Sequence, residues 1–302
     1  MKQLSRRRRT IYLIILIAIF VVSIPALILY AMGYRLGDAL SLVETGGIYV
    51  SSTVGDVQVY VDGRLAKNTN IFTHDAFISS LRPGSYTVEV EKTGYQDWIK
   101  TVRVYPNKVS TLYAFLPPTA YPIAIVPPSL ASTTMTYAQA KAHKLALNPE
   151  YVSALALFTA TSTPIATSSL PVPEASSSEF LAKQDLHVER GLLLWIDGGH
   201  LVADWEKGED TSPYFFCEND TCTDKIVLSL AKPILDFDFY PGRNDVVIVA
   251  TEDGIYAMEL DARSVSNVYT IMAGSGLSFE VASQSLVYIK DAEGDIYAVS
   301  IE

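Results

Sequence analysis

The chain's two cysteines, Cys217 and Cys222, bracket Glu218-Asn219-Asp220-Thr221. In an oxidising compartment two thiols this close in sequence pair as a disulfide; in a reducing one they stay free. A structural zinc site needs two further soft ligands, and none lie nearby. A redox pair has a two-residue spacer at a helix start, which this stretch lacks. The remaining candidates are carboxylates. Asp291, Glu293 and Asp295 share one turn, while Asp236 and Asp238 alternate with Phe237 and Phe239 as on a half-exposed strand. Neither set has the sixth-place glycine and distal glutamate of a calcium-binding loop, so both read as solvated acids. Four histidines leave little material for metal or acid–base chemistry. There is no G-x-S-x-G elbow, H-E-x-x-H, P-loop or G-x-G-x-x-G. We therefore expect no catalytic residue, no metal and no cofactor. A hydrolase built on dispersed carboxylates is the lesser alternative.

What must position these residues begins with an anchor. No residue from Thr10 to Tyr34 is charged, and the expected span, residues 11–33, has the largely apolar core Ile11–Met32, with Pro25 inside it. Twenty-two residues at about 1.5 Å each cover roughly 33 Å, enough for ~30 Å of hydrocarbon. Proline is tolerated in a spanning helix. Tyr12, Tyr30 and Tyr34 lie near the ends, where aromatic rings favour the interface. The competing reading is a cleaved signal peptide, whose apolar region is normally ~7–15 residues; Ala31-Met32-Gly33 is its small-x-small site. Arg6, Arg7, Arg8 and Arg9 precede the span and only Arg35 follows closely, so the positive-inside rule makes residues 1–10 a cytoplasmic tip. Residues ~35–302 are then extracytoplasmic. With Lys2, the first ten residues hold five of the 23 Lys and Arg; the 18 left face 33 acids, so the remainder carries −15. An acidic body excludes a nucleic-acid partner.

From residue 46 to residue 117 the periodicity becomes two. Gln58–Val61 and Ser85–Val90 alternate polar and apolar, with Asp62-Gly63, Pro83-Gly84 and Thr93-Gly94 as turns. Further strands are expected at Gly47–Ser51, Trp98–Val104 and Val109–Leu116, about six in all. The ordered residues Gly47-Ile48-Tyr49-Val50, Val57–Gly63, Leu81-Arg82-Pro83-Gly84-Ser85-Tyr86, Lys92-Thr93-Gly94-Tyr95 and Val102–Pro106 resemble the PEGA domain family over about 70 of 302 residues. The stretch that names the family reads Thr53-Val54-Gly55-Asp56, keeping the glycine, and Asn68-Thr69-Asn70 replaces its frequent Thr-Pro. The resemblance implies a small β-sandwich of a surface or envelope protein, without catalytic residues and with suggested binding to carbohydrate or wall. Its structural motif residues would be Gly55, Asp62, Gly63, Pro83, Gly84, Gly94 and Tyr95. Tyr49, Tyr60, Tyr86, Tyr95 and Trp98 are candidates for stacking on sugar rings; the competing reading places them in the core.

Residues 118–185 are rich in Pro, Ser, Thr and Ala, and read as a linker with a short helix over 137–147 that carries the lone His143. Residues 186–302 repeat. Ile255-Tyr256-Ala257 recurs 41 residues later as Ile296-Tyr297-Ala298, each following a strand and an acidic glycine turn. Leu192–Val202 is an earlier copy, spaced further off by an insertion around the cysteines. A hairpin repeating at about 40–45 residues suggests antiparallel β-propeller-like blades, here an incomplete propeller because closure takes at least four. The expected protein is mainly β and non-catalytic, held by a helix in the lipid bilayer. It would bind cell-wall polysaccharide or an envelope protein. The alternative is the ectodomain of a signalling complex whose partner supplies the output.

Overall fold

The apolar segment forms α1 (Arg6–Ala31), with Pro25 inside it and its side chains exposed along its length. It is long and apolar enough to cross a membrane. The computed structural model describes residues 6–36, 41–129, 147–159, 187–189, 191–206, 212–219 and 221–301, together with Gln139 and Lys141. The chain is mainly β and divides into two units, one of residues 1–90 and 101–114, the other of residues 91–100 and 115–302.

In the first unit, β1 (Tyr34–Leu36) and β2 (Leu42–Glu44) pair as a hairpin behind α1. Two sheets follow. One orders β6 (Asp75–Leu81), β3 (Gly46–Ser52) and β9 (Val109–Ala114), with β3 and β9 parallel. The other orders β5 (Arg64–Asn68), β4 (Gln58–Val61), β7 (Gly84–Glu91) and β8 (Trp98–Val104), with Glu91 and Trp98–Lys100 counted in the second unit. Ile48, Val50 and Leu112 of the first sheet are buried, as are Val59, Val88 and Val104 of the second. Their neighbours along each strand are more exposed, the alternation of sheets with one apolar face and one wet face. The expected strands appear at their places. Among the described residues of this unit four more are present that the sequence pattern did not mark, β1, β2, β5 and β6.

Among the described residues the second unit holds three four-stranded sheets, each an antiparallel run. The first orders β11 (His187–Glu189), β12 (Leu192–Asp197), β13 (His200–Trp205) and β16 (Lys225–Leu228). The second orders β17 (Asp236–Phe239), β18 (Val246–Thr251), β19 (Gly254–Glu259) and β20 (Val268–Ala273). The third orders β10 (Ile123–Val126), β23 (Ile296–Ser300), β22 (Leu286–Lys290) and β21 (Ser278–Ser283). The repeated hairpins occupy the middle of each sheet. Every residue of β18 is buried because both faces are covered. Val247 and Val249 pack with Leu192 and Leu194 of the first sheet, while Ile248 and Ala250 pack with Val287 and Ile289 of the third.

The linker reading of residues 118–185 is corrected at two places. Ile123–Val126 pairs with Ile296–Ser300 as an outer strand of the third sheet. A helix, α2 (Pro149–Thr159), lies beyond it. Asn148 starts α2: its side-chain oxygen accepts from the Glu150 amide at 3.0 Å, and Pro149 takes the first helical place, where no amide hydrogen is needed. Tyr151 and Ala154 of α2 pack on Tyr288 and Ile296, covering the face of the third sheet that turns away from the second. The helix expected over 137–147, with His143, lies almost wholly outside the described residues, as does Thr159–Ser178 beyond its first residue.

Candidate functional site

The motif residues of the first β-domain are turn makers. Asp62 and Gly63 both have positive φ, 50° and 71°, and join Val61 to its partner Arg64 in a two-residue hairpin. That is the primed turn whose twist matches the flanking strands. Asp62 also ties β4 to β7: its amide donates to the Thr87 carbonyl at 2.8 Å and its carboxylate accepts from the Thr87 amide at 2.9 Å. A Cβ at Gly55 would lie 2.9 Å from the Ile71 carbonyl oxygen and 3.0 Å from that of Asn70, so only glycine fits. Pro83 and Gly84 form the entry to β7. Gly94 has φ 86°, and its carbonyl accepts from the Thr119 amide at 3.0 Å. The Tyr95 amide closes the same turn on the Lys92 carbonyl at 3.0 Å. Each of these residues lies at a bend of the chain.

The five candidate stacking aromatics separate. Trp98 is fully buried and its indole donates to Glu259 at 2.5 Å, so it serves the interior. Tyr60, Tyr86 and Tyr95 are half-buried and scattered. Tyr49 alone belongs to an aromatic face. It is the direct cross-strand partner of Phe77 on β6 and of Thr111 on β9, and Tyr113 stands opposite Ser51, two residues further along the same face. Phe77 is 49% exposed and Tyr113 39%. Phe77 lies across Gly47, where a Cβ would approach its ring to 2.9 Å; glycine there lets the ring lie flat on the sheet. The Tyr49 hydroxyl bonds to the Asp75 carboxylate, which raises the phenol's pKa above its ordinary value, with burial and the negative charge adding to the effect. Three rings and a carboxylate thus share one sheet face, with Phe77 and Tyr113 exposed. Such a face can stack on an apolar ring surface while its polar members take hydroxyl groups. The sequence reading missed Phe77 and Tyr113. The alternations Ala76-Phe77-Ile78 and Leu112-Tyr113-Ala114 were the signal, because each buried neighbour puts the aromatic on the wet face.

Strand order, turn chemistry and register over this stretch now stand together. Residues 45–120 match the family model of the PEGA domain. Comparison of the chain with curated proteins gives no match. The PEGA match covers the turn residues and the aromatic face, and it begins one residue before β3. A second exposed apolar feature lies within it: Ile71 and Phe72, 73% and 93% exposed, at a loop tip where the Asn70 side chain accepts from the Phe72 and Thr73 amides at 2.9 and 2.8 Å.

The second unit contains a buried polar cluster. The Lys100 ammonium lies 3.3 Å from Glu259 and 3.4 Å from Asp261, and donates to the Asp261 carbonyl at 2.7 Å. Asn267 donates to Glu259 at 2.9 Å, and Arg263 grips Asp261 through two nitrogens at 2.9 and 2.8 Å. Burial pushes the Glu259 carboxyl above its ordinary range in spite of Lys100, Asn267 and Trp98. Burial acts the same way on Asp261, but Arg263 and Lys100 outweigh it and hold that carboxyl low. Each charge is matched and each oxygen occupied, which is how a buried ionic group holds elements together. Cys217 and Cys222 are joined as a disulfide across β14 (Cys217–Glu218) and β15 (Thr221–Cys222), a small hairpin inserted between β13 and β16. Among the described residues no three His, Cys, Asp or Glu side chains are grouped to hold a metal ion. Arg6, Arg7, Arg8 and Arg9 form the first turn of α1.

Proposed function

We propose that the chain is a non-catalytic, membrane-anchored protein of the cell envelope, which binds wall or surface polysaccharide on the aromatic face of its PEGA-like domain. In this reading α1 spans the bilayer with Arg6–Arg9 on the cytoplasmic side, and residues ~35–302 lie outside. The observation that carries it is the grouping of Tyr49, Phe77 and Tyr113 with Asp75 on one sheet face, where Phe77 and Tyr113 are exposed. Large aromatic patches on wet sheet faces are commonly binding surfaces, since leaving them bare has a hydration cost. We read the three sheets of the second unit as propeller-like blades in an open stack, because α2 covers the face on which a further blade would pack.

The test is co-sedimentation of the full chain, in lipid nanodiscs, with isolated cell-wall polysaccharide. Phe77→Ala and Tyr113→Ala should each weaken binding by about tenfold, the scale of losing a well-placed aromatic contact. Unchanged binding in both variants defeats the reading. The bare Ile71-Phe72 tip favours a second one, docking of an envelope protein, because it offers no polar group for sugar hydroxyls.

A further inference from the structure

We propose that the first turn of α1, made of Arg6, Arg7, Arg8 and Arg9, binds anionic phospholipid headgroups of the leaflet from which α1 enters the bilayer. The inference rests on the reading of α1 as a membrane anchor. It adds a ligand to residues which that reading uses only for orientation.

The charge on this turn has its counter-charge far off along the chain. Lys2 and the four arginines fall within residues 1–10, and no Asp or Glu precedes Asp38. All 33 acidic residues of the sequence therefore follow α1, which ends at Ala31. The helix rises about 1.5 Å per residue, so Arg9 lies roughly 33 Å from Ala31, enough to cross the hydrocarbon layer of a bilayer. With α1 across a membrane, every Asp and Glu side chain of the sequence is on the opposite side from the arginines. None of them can reach across, whatever other partners it has. The counter-charge has to come from another molecule.

The helix itself supplies none. Its first turn contains no acid, and the amide end of a helix is itself positive. Placement then selects the anion. Thr10 alone separates Arg9 from Ile11, where the apolar core begins, so the guanidinium groups are held at headgroup depth and not on a tether. Arg7, Arg8 and Arg9 are exposed. Four successive helix positions, about 100° apart, surround the axis, so some of them meet headgroups whichever way α1 tilts. The chemistry fits as well. A guanidinium is planar and weakly hydrated, and takes two oxygens of one phosphate at once. Basic clusters next to a span on its cytoplasmic side bind anionic lipid with a gain of roughly fivefold per cation.

The experiment is native mass spectrometry of the full chain released from nanodiscs made of equal parts phosphatidylcholine and phosphatidylglycerol. Phosphatidylglycerol should stay on the protein at least tenfold more often than phosphatidylcholine. The preference should fall to about one in Arg7→Gln/Arg8→Gln/Arg9→Gln. Inorganic phosphate should reduce it no more than chloride does at the same ionic strength. If the chain stays in the discs but the preference is absent, or survives in the triple variant, the headgroup site is overturned and the anchor stands. Displacement of the lipid by phosphate beyond the chloride effect overturns it too, in favour of a free phosphate ligand. If the discs do not retain the chain, the anchor reading falls and takes the site with it.

Discussion

At Lys100 an ammonium group is held where almost no water reaches, its side chain 1% exposed. Removing one member of such a cluster leaves the others charged and unmatched, which typically costs about 3–5 kcal/mol. We expect Lys100→Met to destabilise the second unit by about that much in denaturant titration, and Lys100→Met with Glu259→Gln to cost less than the sum of the two. The pH dependence has a worked sign. Glu259's folded pKa is raised from its ordinary 4.5, so the folded state binds more protons than the unfolded state above that value. Its share of stability is intact below 4.5 and is lost as pH rises through the folded pKa. Asp261 runs the other way. Its folded pKa is lowered from 3.8, so its share is present above that value and lost as pH falls through the folded pKa. Glu259→Gln should therefore flatten the decline of stability above pH 4.5 and leave the acid limb in place. A decline equally steep in the variant assigns it to another group.

Elements were legible where local pattern and burial coincide. β4, β7 and β8 alternate, and their turns carry the glycines their φ angles need. β5 was not legible because every residue of it is exposed, so no face imposes a period. β10 was hidden for another reason: Ile123–Val126 is four apolar residues in a Pro-rich stretch, and its partner lies about 170 residues on. Pairing of that range leaves no local signature. α2 was missed although Asn148-Pro149-Glu150 is a helix-start signal, because the good helix formers of residues 137–147 offer a competing helix just before it. Of the candidate face, Tyr49 was named from sequence, but its neighbours come from strands 28 and 64 residues away, and only register brings them together. The β14–β15 hairpin carries its own prediction. A disulfide closing so short a loop, with a sequence separation of 5, restricts the unfolded chain by about 2 kcal/mol. Cys217→Ser/Cys222→Ser should lower the midpoint of thermal unfolding, and a reductant should lower the parent to the same value. A parent unaffected by reductant under unfolding conditions would show that the bond is absent.

For the whole molecule, the repeat of residues 186–302 raised the question of closure, and within the second unit the answer lies in what covers each face. Strand β18 of the middle sheet is buried on both faces, and the third sheet carries α2 on its outer one. In the proposed reading of these sheets as blades, a ring would need that outer face for the next one, and α2 occupies it. Charge raises the other question at this scale, which is the side of the membrane on which the acidic part lies. Five of the 23 cations fall in the first ten residues, and the rest of the chain carries −15. Basic residues flanking a span resist translocation while acidic ones count for little, so the proposed orientation follows from the arginines and not from net charge. With tags at both ends, protease added to intact cells should remove the C-terminal tag and spare the N-terminal one. Replacing Arg6, Arg7, Arg8 and Arg9 by asparagine should leave a larger fraction of chains with the C-terminal tag protected. A C-terminal tag that survives in intact cells, yet is digested after lysis, places the acidic part in the cytoplasm. The proposed polysaccharide ligand would then be on the wrong side of the membrane.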